Sequence, residues 1–71
     1  MTESIVDARG MRCPWPALRL ARAMRESPAV TILADDPAAP AEIAALADHE
    51  RWEVSPIMGG FIVRRSPWAM P

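Results

Sequence analysis

The chain has few of the residues that form disulfides and metal sites in small proteins. Its 71 residues include a single cysteine, Cys13, and a single histidine, His49. One cysteine cannot form an internal disulfide, and these two residues alone cannot supply the ligands of a structural metal site. We therefore expect one domain over residues 1–71, without a metal or cofactor. It must fold by apolar burial, for which 51% of its residues are hydrophobic.

Lysine and long apolar runs are absent as well. No run approaches the ~18 apolar residues of a membrane-spanning helix, and no segment resembles a secretory leader. An unpaired thiol is typical of a reducing compartment, so we expect the protein to act in the cytoplasm. The eight basic residues are all arginines, five of them within residues 1–25, whereas residues 26–63 carry seven acidic residues. This balance does not favour direct binding of nucleic acid.

Hydrophobic patterning predicts the element order β-α-β-α-β-β. The first β-α-β unit should contain two parallel strands, and the last two strands should form a hairpin. Each predicted helix has one apolar face, so we expect both helices on one face of a four-stranded mixed sheet, an α+β two-layer sandwich. Residues 66–71 are expected to be a loose tail beyond a core of about 4–65. The predicted strands are 4–8, 29–34, 51–57 and 61–65, and the predicted helices are about 14–26 and 39–50.

The segment GMRCPWPA at residues 10–17 predicts a rigid helix start. If Cys13 is the N-cap, Pro14 and Pro16 fall in the first helical turn, where a missing N–H removes no internal hydrogen bond. The two prolines would then fix the direction of the thiol without weakening the helix. On this interpretation, Pro16→Ala should barely disturb the fold.

The same position predicts a reactive sulfur. An N-cap thiol lies at the positive end of the helix dipole, and Arg9 and Arg12 add positive charge, so we expect the pKa of Cys13 to be lowered. Asp7 is expected to brace the turn formed by Arg9 and Gly10. The alternative is that a lone cysteine is simply a small buried apolar side chain. The neighbouring glycine, arginines and helix start favour an exposed thiol.

Two further features have alternative interpretations. Arg19, Arg22 and Arg25 recur along one face of the first helix, which is most simply a solvated face but could dock an acidic partner. Trp15, between the prolines, is either a packed anchor of the loop or an exposed contact for a partner. We favour the contact.

The start of the second helix is less clear. Asp36 could be its N-cap with Pro37 at the first helical position, but Pro40 would then lie awkwardly inside the first turns. Asp35 and Asp36 resemble a pair of catalytic carboxylates only superficially. Because they precede a proline at a predicted helix start, we interpret them as capping residues.

The motif itself resembles that of a known family. Asp7, Gly10, Cys13, Pro14 and Pro16 stand in the segment DARGMRCPWP. This segment resembles the TusA/SirA-like sulfur carriers, whose hallmark is Leu-Asp-x-x-Gly-x-x-Cys-Pro-x-Pro. The segment ILADDPAA is also similar to the second-strand region of that family, and the predicted element order matches its two-layer sandwich. The resemblance extends from residue 5 to about residue 65.

The resemblance implies that Cys13 accepts sulfane sulfur as a persulfide. The donor would be a cysteine desulfurase or a rhodanese-type protein, and the sulfur would pass to a cysteine of an acceptor protein, as in tRNA 2-thiolation or a related pathway. Such a protein is a carrier rather than a stand-alone enzyme, with the persulfide sulfur in place of a cofactor. The alternative is an interaction or regulatory domain, with RNA binding as one option, in which the cysteine is incidental. Residues expected to support the sulfur are Asp7, Arg9, Gly10, Arg12, Pro14 and Pro16, and the expected partner contacts are Trp15, Arg19 and Arg22.

Overall fold

The computed structural model describes residues 3–65, so the predicted tail at 66–71 lies outside the described residues. The predicted order of elements is confirmed. Each helix is followed by a strand, and the last two strands are adjacent in the chain. The elements are β1 (Glu3–Asp7), α1 (Trp15–Glu26), β2 (Ala29–Leu33), α2 (Ala39–Glu50), β3 (Trp52–Ile57) and β4 (Gly60–Arg65).

The four strands form one mixed sheet in the order β1-β2-β4-β3. The β1 and β2 strands are parallel, β2 and β4 are antiparallel, and β3 and β4 form the predicted hairpin. The two helices pack on this sheet and contact each other. The prediction of an α+β two-layer sandwich is therefore confirmed.

The core lies between the sheet and the two helices. Strand β2 shows why: Val30 and Ile32 are fully buried, whereas the alternate residues of the strand are only half-buried. This period of two is that of a strand with one face on the core. The opposite face is more open, and Ile5 on β1 is 74% exposed. The fully or almost fully buried apolar residues are Val6, Ala8, Leu20, Met24, Val30, Ile32, Ala39, Ile43, Ala47 and Val63.

Helix α1 begins one residue later than predicted, whereas α2 begins at the predicted residue 39. Helix α1 begins at Trp15 with Pro14 as its N-cap residue, so the prediction that Cys13 caps this helix is wrong. Helix α2 begins at Ala39 with Ala38 as its N-cap, and no side chain caps either helix. Pro40 is then the second helical residue, where its missing N–H removes no intrahelical hydrogen bond.

One edge of the sheet brings three connections together. Asp7 at the end of β1 pairs with Leu33 at the end of β2, and Leu33 pairs with Gly60 at the start of β4. The N–H of Ala34 donates to the carbonyl oxygen of Gly59 in the hairpin turn at 3.2 Å. The loops that follow β1 and β2 therefore lie beside each other, next to the tip of the hairpin.

The close packing of this edge gives a test of the fold at Gly60. A Cβ at this position would overlap the carbonyl oxygen of Ile32, which is backbone and cannot rotate away. We expect Gly60→Ala to lower the free energy of unfolding by about 2 kcal/mol or more, because an overpacked backbone contact must shift the strands. Urea denaturation measures it. The control is Ser55→Ala at an exposed residue of β3, and equal losses of stability in the two variants would contradict the packing.

Candidate functional site

Cys13 lies in the loop between β1 and α1 and is a free, exposed cysteine. The loop begins with fully buried Ala8, whose N–H donates to the carbonyl oxygen of Leu33 at 2.7 Å. The N–H of Met11 then donates to the carbonyl oxygen of Ala8 at 3.1 Å, and the Met11 side chain packs against the core. The loop is thus anchored at its base while its thiol faces solvent, so the alternative of a buried core cysteine is wrong.

Asp7 braces the first turn of this loop, as the sequence predicts. Its Oδ1 accepts hydrogen bonds from the N–H and Nε of Arg9 at 3.2 and 2.9 Å, and its Oδ2 accepts one from Nη2 at 2.8 Å. These bonds favour the ionised carboxylate and lower the pKa of Asp7 to about 2. Gly10 follows with φ +85°, a left-handed conformation that favours glycine.

Two carboxylates from the loop after β2 hold the cysteine loop from its other side. Oδ1 of Asp35 accepts a hydrogen bond from the N–H of Gly10 at 2.9 Å. Oδ2 of Asp36 accepts one from the N–H of Cys13, also at 2.9 Å. The interpretation of Asp36 as a cap of α2 is therefore wrong, since its side chain binds the cysteine loop instead. The predicted parallel pairing of β1 and β2 could have indicated this contact, because the loops that follow two parallel neighbouring strands leave the sheet at the same edge.

The prediction of a lowered thiol pKa is also wrong. The pKa of Cys13 lies above its ordinary value, first because the Glu42 carboxylate favours the protonated thiol as a hydrogen-bond partner. Partial desolvation and the negative charges of Glu42 and Asp36 act in the same direction. The expected cations have little effect here. Arg9 is paired with Asp7, and α1 begins two residues beyond the cysteine.

The two prolines of the motif have different surroundings. Pro14 is exposed, whereas Pro16 is among the largest fully buried side chains of the protein. Trp15 between them is 58% exposed, and its N–H donates to the carbonyl oxygen of Arg12 at 2.8 Å. The motif therefore buries the Pro16 ring in the core and leaves the Trp15 indole exposed at the start of α1.

The remaining candidate residues are placed around the thiol or along α1. Arg12 is exposed and precedes the cysteine, and Arg19 and Arg22 are exposed on α1. Neither Arg19 nor Arg22 forms an ion pair with a carboxylate of residues 4–65. His49 lies in the last turn of α2, about 10 Å along the helix axis from Glu42, and pairs with Glu50 at 3.4 Å. Like the sequence, the structure gives no reason to treat it as a base for Cys13.

An open cleft of about 520 Å³ runs between the two loops that meet at Cys13. Its lining is mixed in charge, with one arginine and two aspartates. Within the described part of the chain, no group of three or more histidine, cysteine or acidic residues could hold a metal ion, and no helix is long and apolar enough to cross a membrane. The cleft is lined by Gly10, Met11, Arg12, Asp35, Asp36 and Pro37.

Comparison with known proteins confirms the family that the sequence resembles. The family model described as "Sulfurtransferase TusA" matches residues 4–64. This range contains all six elements apart from one residue at each end, as well as the cysteine loop and both aspartates that hold it. No individual curated protein matches the chain.

The burial of Pro16 reverses the expectation that its substitution is harmless. We expect Pro16→Ala to lower the free energy of unfolding by about 2 kcal/mol, because it removes buried ring carbons and frees the unfolded backbone. Thermal or urea denaturation measures the loss. The control is Pro28→Ala at an exposed proline, expected to cost less than about 1 kcal/mol. A Pro16 variant as stable as its control would contradict the core position.

The raised pKa of Cys13 predicts a slow thiol at neutral pH. Iodoacetamide should alkylate it more slowly at pH 7 than it alkylates free cysteine, with a rate that rises as pH approaches the raised pKa. Glu42→Gln removes the negative charge and should shift this profile to lower pH, raising the rate at pH 7 severalfold. The matched control is Glu50→Gln at the far end of α2. An unshifted profile for Glu42→Gln would contradict the assigned cause.

Proposed function

This chain belongs to the TusA family of sulfurtransferases and so has a role in sulfur transfer, and we propose that it carries sulfane sulfur as a persulfide on Cys13. The observation that carries the proposal is the thiol itself, which is free, exposed and mounted on a loop held from two sides. The chain has no second cysteine that could discharge the persulfide as an internal disulfide. We therefore propose that the persulfide sulfur is transferred to another protein.

Loading is a transfer of one sulfur atom without net oxidation. The Cys13 thiolate attacks the outer sulfur of a persulfide on the donor protein, and the bond between the two donor sulfurs breaks. The donor cysteine leaves as a thiolate and recovers a proton, which balances the one lost by Cys13. Delivery repeats the step: a cysteine of the acceptor attacks the outer sulfur on Cys13, and the Cys13 thiol is regenerated.

The donor we propose is a cysteine desulfurase or a rhodanese-type protein, and the acceptor is a second protein with a reactive cysteine. The exposed indole of Trp15 and the exposed guanidinium groups of Arg19 and Arg22 are the surfaces we assign to these partners. A thiol that must stay reduced fits action in the cytoplasm. The pathway we propose is tRNA 2-thiolation or a related route of sulfur trafficking.

Sulfur loading can be tested by intact-mass spectrometry. After incubation with a cysteine desulfurase and cysteine, we expect the protein to gain the mass of one sulfur atom, and dithiothreitol should remove it. Cys13→Ser should gain no sulfur. It should also keep the stability of the parent within about 0.5 kcal/mol, because the thiol is exposed.

A second donor extends this test, because desulfurases and rhodanese-type proteins present their persulfides on different surfaces. Absence of loading from both donors, with a folded carrier, would contradict the carrier role. It would favour an interaction or regulatory domain in which the cysteine is incidental. Tight, strongly salt-dependent binding of RNA to the unloaded protein would point in that direction as well.

A further inference from the structure

We propose that Asp36, assisted by Asp35, is a positioning residue that fixes the direction of the Cys13 sulfur for transfer. The inference rests on the proposed carrier function and assigns part of that function to the loop after β2. Asp36 does not touch the reacting sulfur in this role. It acts through the backbone of the residue that carries the sulfur.

The two aspartates hold the cysteine loop at two points. Asp35 accepts the N–H of Gly10 and Asp36 accepts the N–H of Cys13, both at 2.9 Å. One contact would leave the loop free to pivot about it, whereas two contacts three residues apart also fix its orientation. The second contact is made by the backbone N–H of Cys13 itself. It therefore helps to fix the position of the Cα atom from which the thiol side chain extends.

The loop that carries the two accepting carboxylates is itself anchored to the sheet. Ala34, which precedes the two aspartates, donates to Gly59 in the hairpin turn at 3.2 Å, and Ala8 on the opposite loop donates to Leu33 at 2.7 Å. Both loops therefore start from the sheet. A carboxylate that accepts a backbone N–H forms a charge-assisted bond, which is stronger than one to a neutral oxygen. The Asp36 residue is half-buried whereas Asp35 is exposed, and both hydrogen bonds lie at the surface.

Sulfur transfer needs such an orientation. The attacking sulfur must approach the outer sulfur of a persulfide along the bond that breaks, with reacting atoms about 3–3.5 Å apart before reaction. A displacement of about 1 Å in a catalytic arrangement can cost about a hundredfold in rate. A cysteine loop released from Asp36 keeps its thiol and its exposure but loses that fixed direction.

The hydrogen bond and the charge of Asp36 have separable effects. The charge contributes to the raised pKa of Cys13, after the contributions of Glu42 and of desolvation, and so opposes formation of the thiolate. The hydrogen bond orients the backbone. Asp36→Asn keeps an oxygen that can accept the N–H of Cys13 but removes the charge, whereas Asp36→Ala removes both. A merely electrostatic role predicts the same behaviour for the two variants.

The experiment compares Asp36→Asn with Asp36→Ala, with Asp48→Ala on the exposed face of α2 as the matched control. The rate measured is delivery of sulfur from preloaded carrier to an acceptor cysteine. We expect Asp36→Asn to deliver within about threefold of the parent and Asp36→Ala to be at least about tenfold slower. Both variants should shift the pH profile of Cys13 alkylation to lower pH, because both lose the charge.

Amide hydrogen exchange at Cys13 provides a readout that needs no sulfur transfer. The Cys13 amide should exchange faster in Asp36→Ala than in the parent, and its exchange rate in Asp36→Asn should stay close to the parental rate. Circular dichroism checks that each variant is folded, and Asp35→Ala provides a second variant that should loosen Gly10 instead. Delivery by Asp36→Ala at the parental rate, or equal slowing in the Asn and Ala variants, would overturn the proposal. If the parent never loads sulfur, the carrier function fails, and unchanged amide exchange would separately refute the positioning.

Discussion

The parallel pairing of β1 and β2 is the constraint on which the site depends. Because Asp7 and Leu33 are paired at the ends of the two strands, the loop with the thiol and the loop with the carboxylates leave the same edge of the sheet. A register slip of two residues would preserve which side chains face the core, yet it would move one loop by about 7 Å relative to the other. Neither Asp35 nor Asp36 could then reach its amide. The choice of side chains that face the core tolerates such a slip, whereas the contacts that hold the Cys13 loop require this one register.

Elements that depend on repeated local patterns could be predicted from the sequence. Alternating burial marks β2 through Val30 and Ile32, and helical spacing marks α1 through Leu20 and Met24. Both patterns extend over several residues, so one misjudged position does not alter the element. Helix starts depend on one or two residues, and Pro14 led to a predicted start of α1 one residue too early. The first turn tolerates proline at more than one position, so a proline alone does not define the first helical residue.

The site separates in the same way into local and distant contacts. The brace between Asp7 and Arg9 spans two residues and could be predicted from the motif. The bond from Cys13 to Asp36 spans 23 residues, and it depends on how two loops are placed by the sheet. The predicted effect of nearby arginines on the thiol was wrong for this reason. Sequence neighbours of the thiol are cationic, whereas Glu42 and Asp36, which approach it in space, are anionic and reverse the direction of its pKa shift.

For the proposed carrier, these anionic neighbours would limit reaction of the thiol outside a complex with its partner. A thiol with a raised pKa is mostly protonated at neutral pH, so the unbound carrier attacks stray electrophiles and disulfides slowly. The same raised pKa slows both steps of a relay, because Cys13 must be a thiolate to attack and is a better leaving group when its pKa is low. A partner that places a positive charge beside Glu42 and Asp36 would lower this pKa and speed loading and delivery together. Reactivity would then follow docking, while on the positioning proposal the hydrogen bond from the Cys13 amide to Asp36 would hold the direction of the sulfur throughout.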